Sequence, residues 1–385
     1  MPPLRFPEFT EEWTAKRLGD DCEIQMCKRI FAHQTSESGD VPFYKIGTIG
    51  GSADAFISKE LFEAYKSKYN YPQKGEVLVT CAGTVGKTVV YDGLDAYYQD
   101  SNIVWISNPK QYYTNSFLNY ILSHIDWSKL NTTTIVRIYN DNLRDLVIIH
   151  PTVVEQNKIT SLLALIDERI ATQSRIIDKL QSLMSGIVVT HFHKCHDKNT
   201  IAIKDLGEAY SVGNLSKEDL SEDGKPCILY GELFTIYGCV TNDIQSRTNK
   251  YAQATLSKAG DLLFPASTTV DAISLIAPTA LHMDGVYVAG DMFGIHTTPQ
   301  YNSEYVSYLL NYVYNRKLSK YAQGSTIIHL HYADIKNISI QIPRLEEQNK
   351  CAGLLESMQM KLVCAKRLID CYQTQRDYLL QQMFI

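Results

Sequence analysis

The feature that most constrains the fold is a short segment, Glu155-Gln-Asn-Lys158, that returns 192 positions later as Glu347-Gln-Asn-Lys350. The residues after each copy keep the same offset, so that Ile177-Asp178 recurs as Ile369-Asp370. The chain of 385 residues is therefore interpreted as two half-chains, each of which ends in one long helix.

Apolar residues follow each copy at the alternating four- and three-residue spacing of a heptad seam. The first seam lasts about four heptads with one polar place at Gln173, which favours a coiled coil over the buried face of an ordinary helix. The second seam is looser and contains the misfit Arg376. The seam residues are Ile159, Leu163, Ile166, Ile170, Ile177, Leu180, Met184 and Ile187 in the first helix, and Cys351, Leu355, Met358, Leu362, Ala365, Ile369, Tyr372 and Leu379 in the second.

The regions before the two helices are rich in β-branched and aromatic residues bounded by Gly, Asn and Asp, with one helical segment in each, so the class is α+β. We expect a globular domain over residues 1–150, a helix over 151–192, a second domain over 193–343 and a second helix over 344–385. A two-fold pairing of equivalent half-chains sets the helices antiparallel. The fold expected is an internal pseudo-repeat with two domains separated by an antiparallel coiled coil.

Charge and composition exclude several classes of protein. The balance of 37 Lys and Arg residues against 42 Asp and Glu is not typical of a non-specific polyanion binder. It does not exclude a cleft that is locally basic. Pro and acidic residues at the start, and no run of about 18 apolar residues, predict a soluble cytoplasmic protein. Nine scattered cysteines predict reduced thiols rather than a disulfide framework.

The loop Gly83-Thr-Val-Gly-Lys-Thr88 invites comparison with a phosphate-binding loop. Cys81 stands where that motif requires a glycine, and the residues after the loop indicate a strand rather than a helix. A nucleotide-using enzyme is therefore a minor alternative, and a loop that contacts DNA is the preferred functional interpretation. The chain contains no G-x-S-x-G, H-E-x-x-H or G-x-G-x-x-G motif, which favours a binding function over a catalytic one.

A dense run of zinc-type donors, His191, His193, Cys195 and His196, lies where the first helix ends. Structural zinc sites take ligands from two separated segments, so a polar linker is the interpretation favoured here and no metal site is predicted. His329 and His331 alternate on one predicted strand and could face solvent or a nucleic acid backbone, of which solvent is favoured.

The residues expected to contact DNA are polar or cationic side chains in loops, because phosphates take positioning contacts and base edges take bidentate ones. The candidates are Lys45, Thr48, Thr84, Lys87, Gln99, Thr133 and Arg137 in the first half, and Tyr230, Ser267, Thr268, Thr269, His296, Ser325 and His329 in the second.

Several of these segments, in this order, resemble the specificity subunit of a type I restriction-modification system. They are Arg5-Phe-Pro-Glu-Phe-Thr-Glu-Glu-Trp13, Lys16-Arg-Leu-Gly19, the loop Gly83–Lys87, and the two Pro-x-x-x-Glu-Gln starts at Pro151 and Pro343. The likeness covers essentially the whole chain. The family's Gly-Ser or Gly-Thr turn is present as Gln323-Gly-Ser-Thr326, but the first half departs from it with Asn131-Thr-Thr-Thr134, which weakens a DNA contact at Thr133.

The resemblance implies two target-recognition domains, each reading one half of a bipartite double-stranded DNA sequence, with the two helices acting as a ruler. It also implies docking of methyltransferase subunits, which bind S-adenosylmethionine and methylate adenine, and of restriction subunits, which use ATP. No catalysis and no cofactor are expected in this chain. The alternative is a coiled-coil adaptor that binds proteins without recognising a DNA sequence.

Overall fold

The computed structural model describes residues 1–130, 137–250 and 255–384. The chain divides into two compact units, of which unit 1 comprises Met1–Thr172 and Asp370–Ile385, and unit 2 comprises Gln173–Ile369. Each unit contains a strand-rich domain and a part of each of the two long helices. The predicted α+β pseudo-repeat is confirmed.

Unit 1 begins with short strands, and its elements are β1 (Thr14–Arg17), α1 (Leu18–Asp21), β2 (Glu23–Gln25), β3 (Val41–Tyr44), β4 (Phe56–Ile57), α2 (Lys59–Lys68), β5 (Val77–Thr80), β6 (Thr88–Val90), β7 (Tyr97–Tyr98), β8 (Ile103–Ser107), α3 (Asn115–His124), α4 (Asn140–Arg144), β9 (Val147–His150) and the first part of α5 (Val153–Lys194). The strands form sheets in the orders β2-β8-β5-β6, β4-β3-β7 and β1-β9. The antiparallel pair β1-β9 brings the start of the domain next to the start of α5.

Unit 2 repeats this arrangement with more strands, and its further elements are β10 (Lys198–Ala202), β11 (Gly207–Ser211), β12 (Leu220–Leu229), β13 (Val240–Thr241), β14 (Arg247–Thr248), β15 (Thr255–Leu256), β16 (Asp261–Pro265), β17 (Ser267–Thr268), β18 (Thr279–Leu281), β19 (Tyr287–Ala289), β20 (Met292–Thr297), α6 (Ser303–Leu309), α7 (Asn315–Leu318), β21 (Ile328–His329), α8 (Tyr332–Ile335), β22 (Ser339–Pro343) and the first part of α9 (Leu345–Met383). The sheet orders are β11-β20-β16-β18-β13, β14-β12-β19-β15, β10-β22 and β17-β21. The antiparallel pair β10-β22 corresponds to β1-β9 of unit 1.

The central strands of both units are covered on both faces. Val77 and Val79 of β5 belong to the hydrophobic cluster that includes α3 residues, whereas Leu78 belongs to the cluster on the opposite face. In β16 of unit 2, Leu262 and Leu263 divide between two clusters in the same way. Because neighbouring side chains of a strand point to opposite faces, strands buried on both faces appear in the sequence as unbroken apolar runs.

The long helices run antiparallel in both units. In unit 1, Arg376 Nε donates to Asp167 Oδ1 at 2.6 Å, and the Arg169 guanidinium lies 5.8 Å from the centre of the Tyr372 ring. In unit 2, His191 lies 3.5 Å from Glu347. Later residues of α5 thus meet earlier residues of α9, and Arg376, the predicted misfit of the apolar seam, is accommodated by an ion pair.

The predicted seam supplies the buried faces of both helices. Ile159, Leu163 and Ile166 of α5 belong to a cluster of unit 1 with Leu379 and other α9 residues. In unit 2, Met184 of α5 shares a cluster with Leu355 and Leu362 of α9. Ile170 and Ile177, the seam residues on either side of the polar position Gln173, are half-buried.

Two local expectations are wrong. α5 continues to Lys194, so His193 lies in the helix and not in a linker, whereas His191 falls within the helix predicted over 151–192. β21 ends at His329, and His331 is instead the residue before α8, where its ring stacks on His329 with centroids 6.1 Å apart. α5 continues beyond its last large apolar residue, so the apolar pattern alone does not mark its end. β21 has only two residues and is too short to contain both histidines.

The repeated glutamine explains why the four-residue segment occurs twice. In unit 1, the Gln156 side chain is fully buried, donates to the Pro151 carbonyl at 3.0 Å and accepts from Thr114 N at 2.8 Å. Thr114 is also the N-cap of α3, where its side chain accepts from the backbone of Phe117. One glutamine therefore holds the start of α5 against the start of α3.

Unit 2 contains the same contacts. Gln348, which is 1% exposed, donates to the Pro343 carbonyl at 2.8 Å and accepts from Asn302 N at 2.8 Å. Asn302 is the N-cap of α6, as Thr114 is the N-cap of α3. A buried amide satisfies a donor and an acceptor at once, so the same residue is needed at both helix starts.

All nine cysteines fall in the described parts of the chain and are unpaired, as predicted. Across the described ranges, no helix is both long and apolar enough to cross a bilayer.

Candidate nucleic-acid interface

The glycine-rich loop of unit 1 is the turn of a hairpin, because β5 and β6 pair antiparallel from Val77↔Val90 to Val79↔Thr88. Gly86 has φ 82°, and a Cβ there would lie 2.0 Å from the Trp127 ring, so only glycine fits. β6 follows the loop directly, as predicted. The loop therefore lacks the helix N-terminus on which a phosphate-binding loop depends.

The glycine-rich loop contacts a second loop, residues 45–51. Lys87 Nζ donates to the Ile49 carbonyl at 2.5 Å, and Thr84 Oγ1 donates to the Ile46 carbonyl at 3.4 Å. Gln99 Oε1 accepts from Ile46 N at 3.4 Å. Three predicted DNA contacts, separated in sequence, therefore converge on one loop.

The same second loop supplies two further candidates. Lys45 N donates to Thr48 Oγ1 at 3.0 Å, which closes a tight turn. The Lys45 ammonium lies 3.0 Å from Asp54, but both side chains are about half exposed, at 42% and 58%, so the cation is open to solvent and screened from its partner. We name this convergence surface 1: Lys45, Thr48, Thr84, Lys87 and Gln99.

Arg137 lies close to surface 1. Ile138 N donates to the Cys81 carbonyl at 2.9 Å, which places the half-buried Arg137 beside the start of the glycine-rich loop. Burial raises the pKa of the Cys81 thiol to about 11, and the nearby Arg137 charge opposes that rise. Thr133 lies outside the described residues.

A cleft of about 360 Å³ opens beside surface 1, and Lys45 and Gln99 belong to its lining. The other lining residues, which include Arg29, Phe31 and Asn102, were not predicted from the sequence. Arg29 Nε donates to Asp100 Oδ2 at 2.7 Å, while its side chain stays 59% exposed. The two cations and the phenylalanine in Lys28-Arg-Ile-Phe31 were the available signal, since such mixtures suit phosphates and bases together.

The candidates of unit 2 gather around the strand pair β17-β21. Ser267 pairs with His329, and Thr268 pairs with Ile328. Ser325 sits in the exposed turn that leads into β21, and this turn is closed by hydrogen bonds of 2.9 and 2.7 Å between the backbones of Gln323 and His329.

The turn needs glycine at residue 324. Gly324 has φ 114°, and a Cβ there would lie 2.1 Å from the Ile327 carbonyl oxygen. The Gln323-Gly-Ser-Thr326 segment singled out in the sequence therefore has a steric reason.

Tyr230 and Thr269 extend the same area. Tyr230 packs on Gly290, where an added Cβ would lie 3.1 Å from the tyrosine ring. The following Asp291 carbonyl accepts from Ala266 N at 2.8 Å, immediately before β17, and Thr269 is the exposed residue after that strand. We name this surface 2: Tyr230, Ser267, Thr268, Thr269, Ser325 and His329, of which Ser267 is only 6% exposed.

His296 is the one unit 2 candidate that does not belong to surface 2. Its Nδ1 lies 2.6 Å from Asp261 Oδ1, and its ring stacks on Tyr210 with centroids 4.2 Å apart. Tyr210 donates its hydroxyl hydrogen to Asp261 Oδ2 at 2.7 Å, and Asp261 is 1% exposed. These contacts fix the His296 ring within the sheet, and its role as a DNA contact stays a prediction.

The two surfaces differ in chemistry. Surface 1 and its surroundings carry the cations Arg29, Lys45, Lys87 and Arg137, whereas surface 2 is dominated by hydroxyl groups. Large exposed apolar residues, Val270, Ile273 and Ile327, occur in or next to the loops that carry surface 2. Cations suit phosphates, while hydroxyl and apolar groups suit base edges and thymine methyl groups.

Comparisons with known proteins agree on one family. Residues 10–182 and 196–363 match the family model described as the type I restriction modification DNA specificity domain. A putative type I restriction enzyme specificity subunit from Haemophilus influenzae is 49% identical over 146 residues, which cover 38% of this chain and 38% of that relative. A putative type I restriction enzyme MjaX specificity subunit from Methanocaldococcus jannaschii is 23% identical over 386 residues, covering 91% of this chain and 88% of that protein.

A similar fold occurs among solved structures. The S subunit of a type I restriction-modification system from M. genitalium superposes with a TM-score of 0.64 at 15% identity, covering 100% of this chain and 99% of that chain.

Proposed function

The chain belongs to the family of type I restriction-modification DNA specificity proteins, and from this premise we propose that each of its two domains reads one half of a bipartite DNA target. The target-recognition domains are residues 1–150 and 193–343. The helices over 151–192 and 344–385 set the spacing between the two half-sites.

One observation carries this function: the two units share one frame and present different surfaces. Gln156 and Gln348 make matching contacts at the two helix starts. Surface 1 is cationic and surface 2 is rich in hydroxyl groups. A repeated frame with unlike surfaces suits a protein that reads two unlike half-sites. The two matched DNA specificity domains argue against a protein-binding adaptor.

Members of a specificity family are generally non-catalytic, and the chemistry belongs to partners in this proposal. Methyltransferase subunits bind S-adenosylmethionine and methylate adenine, and restriction subunits use ATP. The chain itself holds neither of these cofactors and acts in the cytoplasm, where its DNA is. The glycine-rich loop, as the turn of a hairpin, supports a role in contacting DNA rather than in binding a nucleotide.

An exchange of domains tests the proposal. Residues 1–150 are replaced by the corresponding domain of another specificity protein, and the hybrid is expressed with its methyltransferase partners. The methylated adenines are then located by sequencing the DNA. We expect one half of the methylated sequence to change, while the other half and the spacing stay the same.

The reciprocal exchange of residues 193–343 is the matched control, and it should change only the other half. A hybrid that methylates the original site, or one in which both halves change together, contradicts the assignment of one reader to each domain.

A further inference from the structure

Three metal-binding side chains meet in unit 2, where the last turn of α5 lies beside the first turn of α9. One donor atom from each of His191, Cys195 and Glu347 lies within 4.8 Å of the others. His191 and Cys195 are one helical turn apart on a single face, since Cys195 N still donates to the His191 carbonyl at 3.1 Å. The third donor comes from a different helix, so the ligands are supplied by two separated segments of the chain.

Two of the separations between the donor atoms are close to those around a tetrahedral zinc ion. Cys195 Sγ lies 3.7 Å from His191 Nε2, and Glu347 Oε2 lies 3.5 Å from the same nitrogen. Bond lengths to zinc of about 2.3 Å for sulfur and about 2.1 Å for nitrogen and oxygen place ligand atoms about 3.4 to 3.6 Å apart in a tetrahedron. Cys195 Sγ also lies 3.9 Å from His191 Nδ1, so the imidazole ring must rotate before Nε2 and the sulfur can share one ion.

The surroundings hold the ligands in place. The buried Tyr305 hydroxyl lies 3.5 Å from His191 Nδ1, which leaves Nε2 as the nitrogen that can bind an ion. Lys198 Nζ donates to the Phe192 carbonyl at 2.8 Å and also to the Cys195 carbonyl, so it fixes the backbone at the helix end. Contacts of this kind orient the ligands in known metal sites.

The carboxylate is partly engaged and partly free. Glu347 Oε1 accepts from Lys350 at 2.7 Å, which lowers the pKa of Glu347 and keeps it ionised. Oε2 faces His191. Burial, with a further contribution from the Glu347 charge, raises the pKa of Cys195, so a metal ion must displace a proton from the thiol.

We propose that His191, Cys195 and Glu347 bind one Zn²⁺ ion, with a water molecule as the fourth ligand, and that this ion fastens the end of α5 to the start of α9. A thiolate and an imidazole are soft donors that favour zinc over magnesium or calcium. The thiol proton passes to solvent when the ion binds. This site is independent of the DNA-reading proposal.

The full-length chain, stripped with a chelator and kept reduced, is titrated with Zn²⁺ in competition with a chromophoric chelator, and in parallel with Co²⁺. We expect one ion per chain and a thiolate-to-cobalt charge-transfer band. Cys195→Ser should abolish that band. His191→Asn and Glu347→Gln should each weaken zinc binding by more than the roughly 10- to 100-fold that follows loss of an outer contact.

Matched variants separate this site from binding by exposed thiols and imidazoles. His193→Asn removes an exposed histidine two positions along the same helix, and Cys364→Ser removes an exposed cysteine of α9. Both should bind zinc as the parent does, whereas Tyr305→Phe should weaken binding about 10-fold. Circular dichroism checks that each variant is folded.

Two results overturn the proposal. One is the absence of a thiolate-to-cobalt band in the parent chain. The other is binding that survives Cys195→Ser but is lost in His193→Asn or Cys364→Ser.

Discussion

The two long helices of this protein begin with the same four residues, but only some of these residues make the same contacts in both units. Gln156 and Gln348 are both buried and both join a proline carbonyl to the N-cap of a domain helix. The glutamates beside them differ. Glu155 is 1% exposed and accepts two hydrogen bonds from Arg5, at 2.7 and 2.8 Å.

The side chain of Glu347 is 40% exposed and faces His191 and Lys350 instead. Identical residues at repeated positions can therefore have either the same structural role or different ones. The glutamine belongs to the frame that both units need. The glutamate is tied to an arginine in unit 1 and is open to a new partner in unit 2.

Replacing the two glutamines should have the largest effect and should affect both units alike. Gln156→Leu removes the partner of Thr114 N and of the Tyr112 carbonyl, while the Pro151 carbonyl keeps its contact with His150 Nδ1. Gln348→Leu removes the partner of Asn302 N and the amide bound to the Pro343 carbonyl. Buried unpaired groups should cost each unit about 2 to 4 kcal/mol of unfolding free energy. Hydrogen exchange of β5 amides in unit 1 and β16 amides in unit 2 measures the loss. A large loss in one unit with none in the other would show that the frame is not shared.

Replacing the two glutamates should have a smaller effect and should separate the units. Glu155→Gln removes the negative charge beside the poorly exposed Arg5, which should cost unit 1 about 2 kcal/mol. Glu347→Gln, measured without metal, should leave unit 2 unchanged because the side chain is solvated. Hydrogen exchange of the same β5 and β16 amides measures both effects. Equal losses of unfolding free energy in the two units would mean that Glu155 and Glu347 contribute equally to stability.

The smallest effect concerns the two surfaces. Lys45→Ala should reduce the slope of the logarithm of DNA affinity against the logarithm of salt concentration by about 1, because one phosphate contact is lost. Thr269→Ala in surface 2 is the matched control and should leave the slope unchanged. Binding by the chain with its methyltransferase partners is measured over a range of salt concentrations. If both substitutions reduced the slope equally, surface 1 and surface 2 would not differ as a cationic and a hydroxyl-rich DNA-contacting surface.

Periodic and repeated features could be predicted from the sequence because they depend on local spacing. The heptad seam, the antiparallel direction of the helices and the strand after the loop Gly83–Thr88 are examples. Arg376 shows where local spacing fails. It breaks the apolar pattern, and only its distant partner Asp167 explains why it is tolerated.

The candidate sites were harder to predict for the same reason. The Lys45 loop, the glycine-rich loop and Gln99 lie far apart in sequence, and their convergence depends on how the sheets of unit 1 pack. Arg29 was missed because it lies in an irregular segment, where two cations beside one aromatic residue are a weak signal. Glu347 was recognised as part of a repeat, but nothing in the spacing indicated that it would face His191 and Cys195.

Unit 1 is assembled from two segments far apart in the sequence, and this has a consequence for protein synthesis. Leu4 N donates to the Gln382 carbonyl at 2.9 Å, and the Phe384 ring lies 5.4 Å from Phe117. While the ribosome adds residues 173–369, for roughly 10 to 40 s, Ile159, Leu163 and Ile166 have no partner from α9. Unit 2 is continuous and can close first. The domain that emerges first is therefore the one completed last, and in that interval an apolar helix face is open to chaperones or to aggregation.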